Sequence, residues 1–166
     1  KLQALLKSRK FIYLDGGMGT MLQQNGLKLG QRPELFVLEH PEAVAKIHRQ
    51  YLESGADVLY TCTFGANAHK LAGTGVSPAE VIKAAVSAAQ KAAEEFPGPK
   101  PLIALDIGPI GELLEPAGTL SFGEAYSLFR EMAVTGEEAG ADLAVFETIA
   151  DLGEMRAAVL AAKENT

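Results

Sequence analysis

Acidic and hydroxyl side chains stand where the predicted strands end, and they are the residues best placed to do chemistry. The positions are Asp15, Thr61, Thr63, Asp106 and Glu147. Any one of them could cap a turn or a helix, since short polar side chains are common there. Acids at three of four strand ends are nevertheless unusual for purely structural positions. We therefore interpret this set as a functional site.

The turn that follows Asp15 is rich in glycine, within the segment FIYLDGGMGT. Glycine tolerates positive φ values and lets the backbone approach a neighbour closely, so Gly16, Gly17 and Gly19 would allow a ligand to lie against main-chain amides beside Asp15. The G-x-G spacing does not complete a dinucleotide fingerprint, because Leu22 stands where the third glycine would be. This turn therefore does not favour a dinucleotide site.

Four apolar runs alternate with helical patterns along the chain. The predicted strands are residues 11–14, 57–64, 101–107 and 142–148, and the long predicted helices begin at Pro41, Ser77, Ser121 and Asp151. A short helical segment at 18–25 and a polar passage at 31–40 precede the first long helix, and the last helix carries the apolar residues Leu152, Met155, Val159 and Ala162. Apolar strands joined by helices predict a parallel sheet covered by helices, in a doubly wound sheet or a βα barrel. In both architectures the carboxyl ends of the strands meet at one edge, which would gather the polar residues named above.

Composition and charge narrow the class of partner. The 166 residues are 48% hydrophobic and 22% charged, with a formal net charge of -6. An acidic chain without a Lys/Arg cluster is not expected to bind nucleic acid or an anionic membrane, so small-molecule chemistry is favoured. The start, KLQALLKSRK, is too short and too charged for a signal sequence or a membrane span, and we expect a cytoplasmic protein. Because the chain begins at Lys1 and not at Met, we expect it to be a piece of a longer one.

The cysteine and the histidines do not form a predicted metal site. Cys62 alternates with the two threonines and is expected on the opposite strand face as a small apolar residue. A single cysteine also allows no intrachain disulfide. His40, His48 and His69 share no metal-ligand spacing, and we interpret them as surface residues.

Four segments in order resemble the homocysteine S-methyltransferase family. They are LDGGMGTML, HPEAVAKIHRQYLESGADVLYTCTFGAN, LDIGPIGELLEPAGTLSF and FETIADLGEMRAAVLAAKE. Within that family they are most similar to the N-terminal homocysteine-binding module of cobalamin-dependent methionine synthases. The family fold is a (βα)8 TIM barrel of about 250 residues or more, so residues 1–166 are expected to form its first four βα units, the N-terminal half of the domain.

The resemblance implies roles for the strand-end residues. Asp15 and Glu147 would take the ammonium of homocysteine, and Thr61, Thr63 and the amides around Phe64 and Gly65 would hold its carboxylate. Gly16 and Gly17 would let the chain pass close to the substrate, with Asp106 behind the residues that contact it.

The resemblance also implies a zinc ion that binds the substrate sulfur and methylcobalamin as methyl donor, with folate and cobalamin modules elsewhere in the parent enzyme. The three zinc-binding cysteines of the family lie in the second half of the barrel, and Cys62 does not correspond to any of them. The fragment alone is therefore expected to be inactive, to lack the C-terminal half-barrel, and to self-associate.

Other functions remain open at this level. Betaine or S-methylmethionine could replace methylcobalamin as donor, because these enzymes share the same motifs. The acids could also belong to a noncatalytic binding or assembly module in which they only cap loops, or to a doubly wound nucleotide binder.

Overall fold

The computed structural model describes residues 1–166 and contains three strands and eight helices. The strands are β1 (Val58–Tyr60), β2 (Leu102–Ile107) and β3 (Leu143–Phe146). The helices are α1 (Leu2–Ser8), α2 (Met18–Gln24), α3 (Pro33–Glu39), α4 (Pro41–Glu53), α5 (Ala68–Leu71), α6 (Pro78–Glu95), α7 (Phe122–Ala139) and α8 (Leu152–Asn165). The four predicted long helices are confirmed as α4, α6, α7 and α8. Ser77 and Ser121 each form a complete capping box at the start of α6 and α7.

The three strands form one parallel sheet in the order of the chain. Leu14 adds a parallel bridge to Val58, so the segment before α2 stands where a first strand would be. Helix α4 packs against α6, α6 against α7, and α7 against α8. A doubly wound sheet reverses its strand order at a switch point, and no reversal occurs between Leu14 and β3. Successive parallel strands that lie side by side, as here, are also the arrangement found in βα barrels.

The first predicted strand, residues 11–14, is wrong as a buried strand. Only Leu14 is bridged to β1, and Phe11, Tyr13 and Leu14 are 62%, 61% and 53% exposed. The segment has a neighbouring strand on one side only, and no element of this chain covers its other edge. This apolar run therefore does not form a regular strand, because a strand also needs neighbouring strands to pair with and other elements packed over it.

Two other segments differ from the expectation. The second predicted strand, residues 57–64, ends early as β1, because the Thr63 N–H turns back to donate to the Thr61 carbonyl at 2.8 Å. Residues 31–40, predicted as a polar passage, contain helix α3. That helix has Pro33 at its first position and buries Glu34, Phe36 and Val37.

Alternate residues of the strands face opposite sides of the sheet. Leu59, Ile103 and Leu105 belong to the large core between the sheet and the helices. On the other side a small cluster of Val58, Leu102 and Ala104 is packed against Leu5 of α1 and Ile12. The sheet is therefore covered by helices on one face and by the amino-terminal segment on part of the other.

The amino ends of β1 and β3 are built on a repeated Gly-Ala-Asp sequence that ends at Asp57 and Asp142. Each aspartate accepts a main-chain N–H of the preceding strand segment, at 3.0 Å from Tyr13 and 2.9 Å from Ile103. The same two carboxylates form ion pairs with the amino-terminal segment, through Arg9 and Lys1 respectively. The amino edge of the sheet thus pairs its acids with cations.

Helix α8 buries small side chains and exposes two of the larger apolar residues that it carries. Leu152 is 75% exposed and Val159 is 37% exposed. The buried side chains are Glu154, Ala157, Ala158 and Ala161. Small alanine side chains allow α8 to pack closely on α7, so its larger apolar residues lie outward.

Neither α8 nor any other helix combines the length and apolar character needed to cross a membrane.

The prediction that His48 is a surface residue is wrong. Its side chain on α4 is fully buried, and neither ring nitrogen has a hydrogen-bond partner. Burial lowers the pKa of His48 to about 4, because the core disfavours the charged imidazolium. His40 and His69 are exposed, as predicted.

We expect His48 to make the fold sensitive to acid. The folded-state pKa lies below the ordinary value of 6.5. The neutral ring therefore contributes full stability above pH 6.5, and this contribution is lost as the pH falls towards 4. In that range each pH unit costs about 1.4 kcal/mol in the free energy of unfolding. Urea unfolding of the chain and of His48→Leu between pH 7 and 4.5 should show a shallower loss in the variant.

The matched control for this measurement is Gln50→Leu, which introduces the same leucine at an exposed, non-ionisable position of α4. It should leave the pH dependence as it is in the unsubstituted chain. Parallel losses in the chain and in His48→Leu would contradict the role given to His48.

Candidate functional site

A cavity of about 560 Å³ opens at the carboxyl edge of the sheet. It is lined by eight of the nine residues predicted from the sequence. They are Asp15, Gly16, Gly17, Thr61, Thr63, Phe64, Asp106 and Glu147. The structure thus brings together side chains from four segments that are far apart in the sequence.

Asp15 is held by the end of β1. Its N–H donates to the Val58 carbonyl at 3.1 Å, and its Oδ2 accepts the Tyr60 N–H at 2.9 Å. Burial raises the pKa of Asp15 to about 7; the Tyr60 N–H opposes this shift, and the negative charge of Glu147 adds to it. Asp15 therefore sits close to its titration point at neutral pH.

Asp106 is a buried acid in the wall of the cavity. It is 8% exposed, and its Oδ1 has no hydrogen-bond partner in the chain. Burial raises the pKa of Asp106 to about 8, and the charges of Glu147, Asp15 and Glu34 raise it further. An unpartnered carboxyl oxygen beside other acids favours a cationic ligand, because a nearby positive charge stabilises the ionised form.

Glu147 follows β3 and completes the acidic group. Its N–H donates to the Ile107 carbonyl at 3.1 Å, which places the residue level with the end of β2. The side chain is partly exposed and lines the cavity. Its charge acts on both aspartates, so the three acids form one electrostatic unit.

The hydroxyl protons of Thr61 and Thr63 are both used within the chain. Thr63 Oγ1 donates to the Asp106 carbonyl at 2.7 Å, and the Asp106 N–H donates to Thr61 Oγ1 at 3.2 Å. The two hydroxyls also lie 2.7 Å apart, and because the Thr63 proton is already used, Thr61 must be the donor. These threonines therefore fix the position of Asp106 and have no proton left for an anion.

Gly65, the ninth predicted residue, lies behind the cavity wall. Its N–H donates to Glu34 Oε1 at 2.8 Å, so that amide is not free to bind a ligand. A Cβ at this position would lie 2.5 Å from the same carboxylate oxygen, so any larger residue would displace the Glu34 side chain. The N–H of Phe64 makes no hydrogen bond in the chain and stays available at the cavity.

Glu34 is a site residue that the sequence analysis missed. It is 8% exposed on α3, lines the cavity and holds the turn after β1 through Gly65. The local pattern Pro-Glu is that of a helix start and carries no sign of this contact. The partner is 31 positions away, and only the fold shows that it is near.

The glycine turn supplies unpaired main-chain donors. The N–H groups of Gly16, Gly17 and Met18 have no acceptor in the chain, and all three residues line the cavity. A Cβ on Gly16 would lie 3.2 Å from the Tyr51 hydroxyl oxygen, which itself donates to the Gly17 carbonyl at 3.3 Å. The turn is packed against Tyr51, as close backbone approach requires.

The donor atoms of this chain do not fit a zinc ion. No three His, Cys, Asp or Glu side chains lie close enough to share a metal. Cys62 is buried with its Sγ 3.5 Å from the Pro33 carbonyl, and burial raises the pKa of the thiol well above its ordinary value. A zinc-binding cysteine needs a thiolate, which this environment opposes.

Known proteins match the chain over nearly all its length. The family model described as homocysteine S-methyltransferase matches residues 12–166. The chain is 32% identical to homocysteine S-methyltransferase YbgG of Bacillus subtilis (strain 168), covering 98% of this chain and 58% of that protein. It is 30% identical to methionine synthase of Mycobacterium tuberculosis, covering 94% of this chain and 14% of that protein.

Solved structures give the same result. Crystal structures of the homocysteine methyltransferase MmuM from Escherichia coli, in oxidised and metallated forms, match with a TM-score of 0.85 at 27% and 26% identity. The match covers 99% of this chain in each case, and 63% and 64% of those chains. Apart from the much longer methionine synthase, the chain spans about three fifths of the relatives named here.

We expect Glu147→Gln to lower the pKa of both Asp15 and Asp106, because the substitution removes a negative charge that raises each of them. Carbon-detected NMR titration of the aspartate carboxyls measures both values. Glu131→Gln, which alters an exposed acid on α7, is the control and should shift neither. Unchanged titration of both aspartates in Glu147→Gln would show that the three acids are not coupled.

Proposed function

The chain belongs to the homocysteine S-methyltransferase family, and we propose on that premise that its cavity holds the amino-acid end of homocysteine for methyl transfer to the sulfur. The observation that carries the proposal is the convergence of Asp15, Asp106 and Glu147 in one cavity beside unpaired main-chain N–H groups. Such a cavity offers negative charge to an ammonium and donors to a carboxylate.

The ammonium is assigned to Asp15 and Glu147. Both line the cavity and Asp15 has one oxygen left after it accepts the Tyr60 N–H. A cation between them would offset the burial and the charge of Glu147 that raise the pKa of Asp15. Asp106 lies deeper, where its unpartnered oxygen extends the negative field under the ammonium.

The carboxylate is assigned to main-chain donors. The free N–H groups at Gly16, Gly17 and Phe64 suit an anion in a partly desolvated site. This changes the roles expected for Thr61 and Thr63, whose protons are used to hold Asp106. They support the ammonium side of the site and do not bind the carboxylate.

The contribution of this chain to the reaction is to bind and orient the substrate. The zinc ion implied by the family resemblance does not fit the side chains present, so we assign no step to a metal held by these residues. The metallated form of the E. coli enzyme is consistent with metal ligands in the part of the family fold that lies beyond this match. Fixing the ammonium and the carboxylate of homocysteine leaves its sulfur end to be presented to groups outside this chain.

The architecture is proposed to be the first four βα units of a TIM barrel. The sequential parallel order, the helices on one face and the site at the carboxyl edge all support it. Phe11 and Leu14 at one end of the sheet and Leu152 and Val159 on α8 at the other are exposed where neighbouring units would pack. By the same argument we propose that the isolated 166-residue chain self-associates through these apolar surfaces.

Methylcobalamin is proposed as the methyl donor, supported by the similarity to the methionine synthase of M. tuberculosis. That protein is much longer than the matched segment, which is consistent with further folate and cobalamin modules in the parent of this chain. Betaine and S-methylmethionine remain alternative donors, because the chain is also similar to the shorter homocysteine S-methyltransferases of B. subtilis and E. coli. Assay of the complete parent enzyme with each donor distinguishes them.

The test of the proposed site is homocysteine binding. Glu147→Gln should weaken it about tenfold or more, because a hydrogen bond to a charged group is worth about 1.5 to 3 kcal/mol. Isothermal calorimetry of the chain with homocysteine measures the affinity, and Glu131→Gln on α7 serves as the unaffected control. Equal affinity in Glu147→Gln and the unsubstituted chain would contradict the assignment of Glu147 to the ammonium. No amino-acid binding at all would instead favour a noncatalytic module.

The chain alone should transfer no methyl group. Incubated with zinc, homocysteine and methylcobalamin, it should hold no stoichiometric zinc and form methionine only at the background rate. Without a metal the homocysteine thiol keeps a pKa near the free value of about 8.5, so only a few per cent is thiolate at pH 7. Metal analysis and methionine determination on the same sample check both statements. Stoichiometric zinc together with turnover would mean that these residues build a metal site of their own.

A further inference from the structure

Thr148 has an unusual backbone conformation. Its φ is 59°, in the left-handed region, and it is the one residue other than glycine with a positive φ. This region is unfavourable for residues with a Cβ and most unfavourable for branched ones. The seven other positive-φ positions of the chain are all glycines: Gly26, Gly30, Gly55, Gly73, Gly75, Gly111 and Gly140. The exception therefore calls for a reason that lies in the threonine side chain.

The strained residue stands next to the proposed substrate site. It directly follows Glu147, whose N–H makes the last hydrogen bond between β3 and β2, at 3.1 Å to the Ile107 carbonyl. Asp151 already caps α8 with its Oδ1 2.7 Å from the Glu154 N–H, so residues 148–150 alone join strand to helix. Thr148 lines the same cavity as Glu147. The short connection imposes the turn, and glycine would adopt it at lower cost.

The side chain of Thr148 is exposed, and its hydroxyl makes no hydrogen bond within the chain. Thr61 and Thr63 also line the cavity, but both of their protons are used. Among the cavity hydroxyls, Thr148 and Tyr60 keep protons that no group of the chain accepts. Strain at a functional site is retained when the side chain supplies something that the relaxed alternative lacks. At this position the threonine supplies a hydrogen-bond donor.

We propose that Thr148 is a specificity-determining residue that donates its hydroxyl proton to the carboxylate of the bound amino acid. The proposal rests on the proposed function of the cavity as an amino-acid site. An α-amino acid carries its ammonium and its carboxylate on the same carbon, so two adjacent residues of the chain can contact both. Glu147 contacts the ammonium, and Thr148 contacts the carboxylate.

The experiment compares Thr148→Val, which keeps the branched shape but removes the hydroxyl, with Thr148→Ser, which keeps the hydroxyl. Binding is followed by NMR chemical-shift titration, which also measures weak affinities. With homocysteine, Thr148→Val should bind about tenfold more weakly and Thr148→Ser should bind nearly as the unsubstituted chain does. With 3-aminopropane-1-thiol, which is homocysteine without its carboxylate, all three proteins should bind equally.

A stability measurement tests the backbone strain separately. Thr148→Gly should raise the melting temperature by about 2–4 °C, because glycine accepts the left-handed conformation. The same variant should lose homocysteine affinity as Thr148→Val does. Thr148→Val should leave the melting temperature nearly unchanged, since its branched shape is that of threonine. Opposite effects of one substitution on stability and binding are not expected of a residue that serves the fold alone.

The outcomes distinguish a failure of the Thr148 assignment from a failure of the proposed function. If the unsubstituted chain binds no homocysteine, the proposed function and this assignment both fail. If it binds and Thr148→Val binds equally well, or loses the carboxylate-free amine to the same extent, the assignment of Thr148 alone is overturned. A melting temperature that falls in Thr148→Gly would overturn the strain argument.

Discussion

The candidate site depends on the enclosure of several carboxyl groups in one cavity. Asp15, Asp106 and Glu147 line the same space, with Glu34 at its wall, and the pKa values of both aspartates are raised by burial and by the charge of Glu147. Like charges in a poorly hydrated site repel, so the arrangement opposes folding and is retained only where the rest of the fold supports it. A bound cation relieves this repulsion. The cavity is therefore prepared for a ligand that brings a positive charge, as the ammonium of an amino acid does.

The support comes from main-chain and hydroxyl groups that hold each acid in place. The Tyr60 N–H fixes Asp15, and the pair Thr61 and Thr63 fixes Asp106 from both sides of its peptide groups. These contacts cross between strands, so the sheet register determines which acids meet. A shift of one residue would turn the side chains to the helix-covered face and remove the site.

The sequence predicted which polar residues would lie together better than it predicted the elements around them. Acids at strand ends could be recognised because parallel strands bring their carboxyl ends together whatever their exact length. Residues 11–14 were expected to be a buried strand, and His48 was expected at the surface, because local composition does not show whether a segment will have a neighbour. The local sequence also did not predict the contact from Glu34 to Gly65 or the left-handed turn at Thr148. Both depend on parts of the chain that are brought close only by the complete fold.

The two edges of the sheet differ in how their charges are compensated. At the amino edge Asp57 and Asp142 each have a cation, from Arg9 and Lys1, and each also accepts a main-chain N–H. At the carboxyl edge the acids lack cations, and the turn after Glu147 places a threonine where glycine would be more stable. In parallel barrels the amino edge serves stability and the carboxyl edge serves function. The uncompensated charge and the backbone strain are thus on the same edge, and both would be relieved or used by the amino-acid ligand proposed for this cavity.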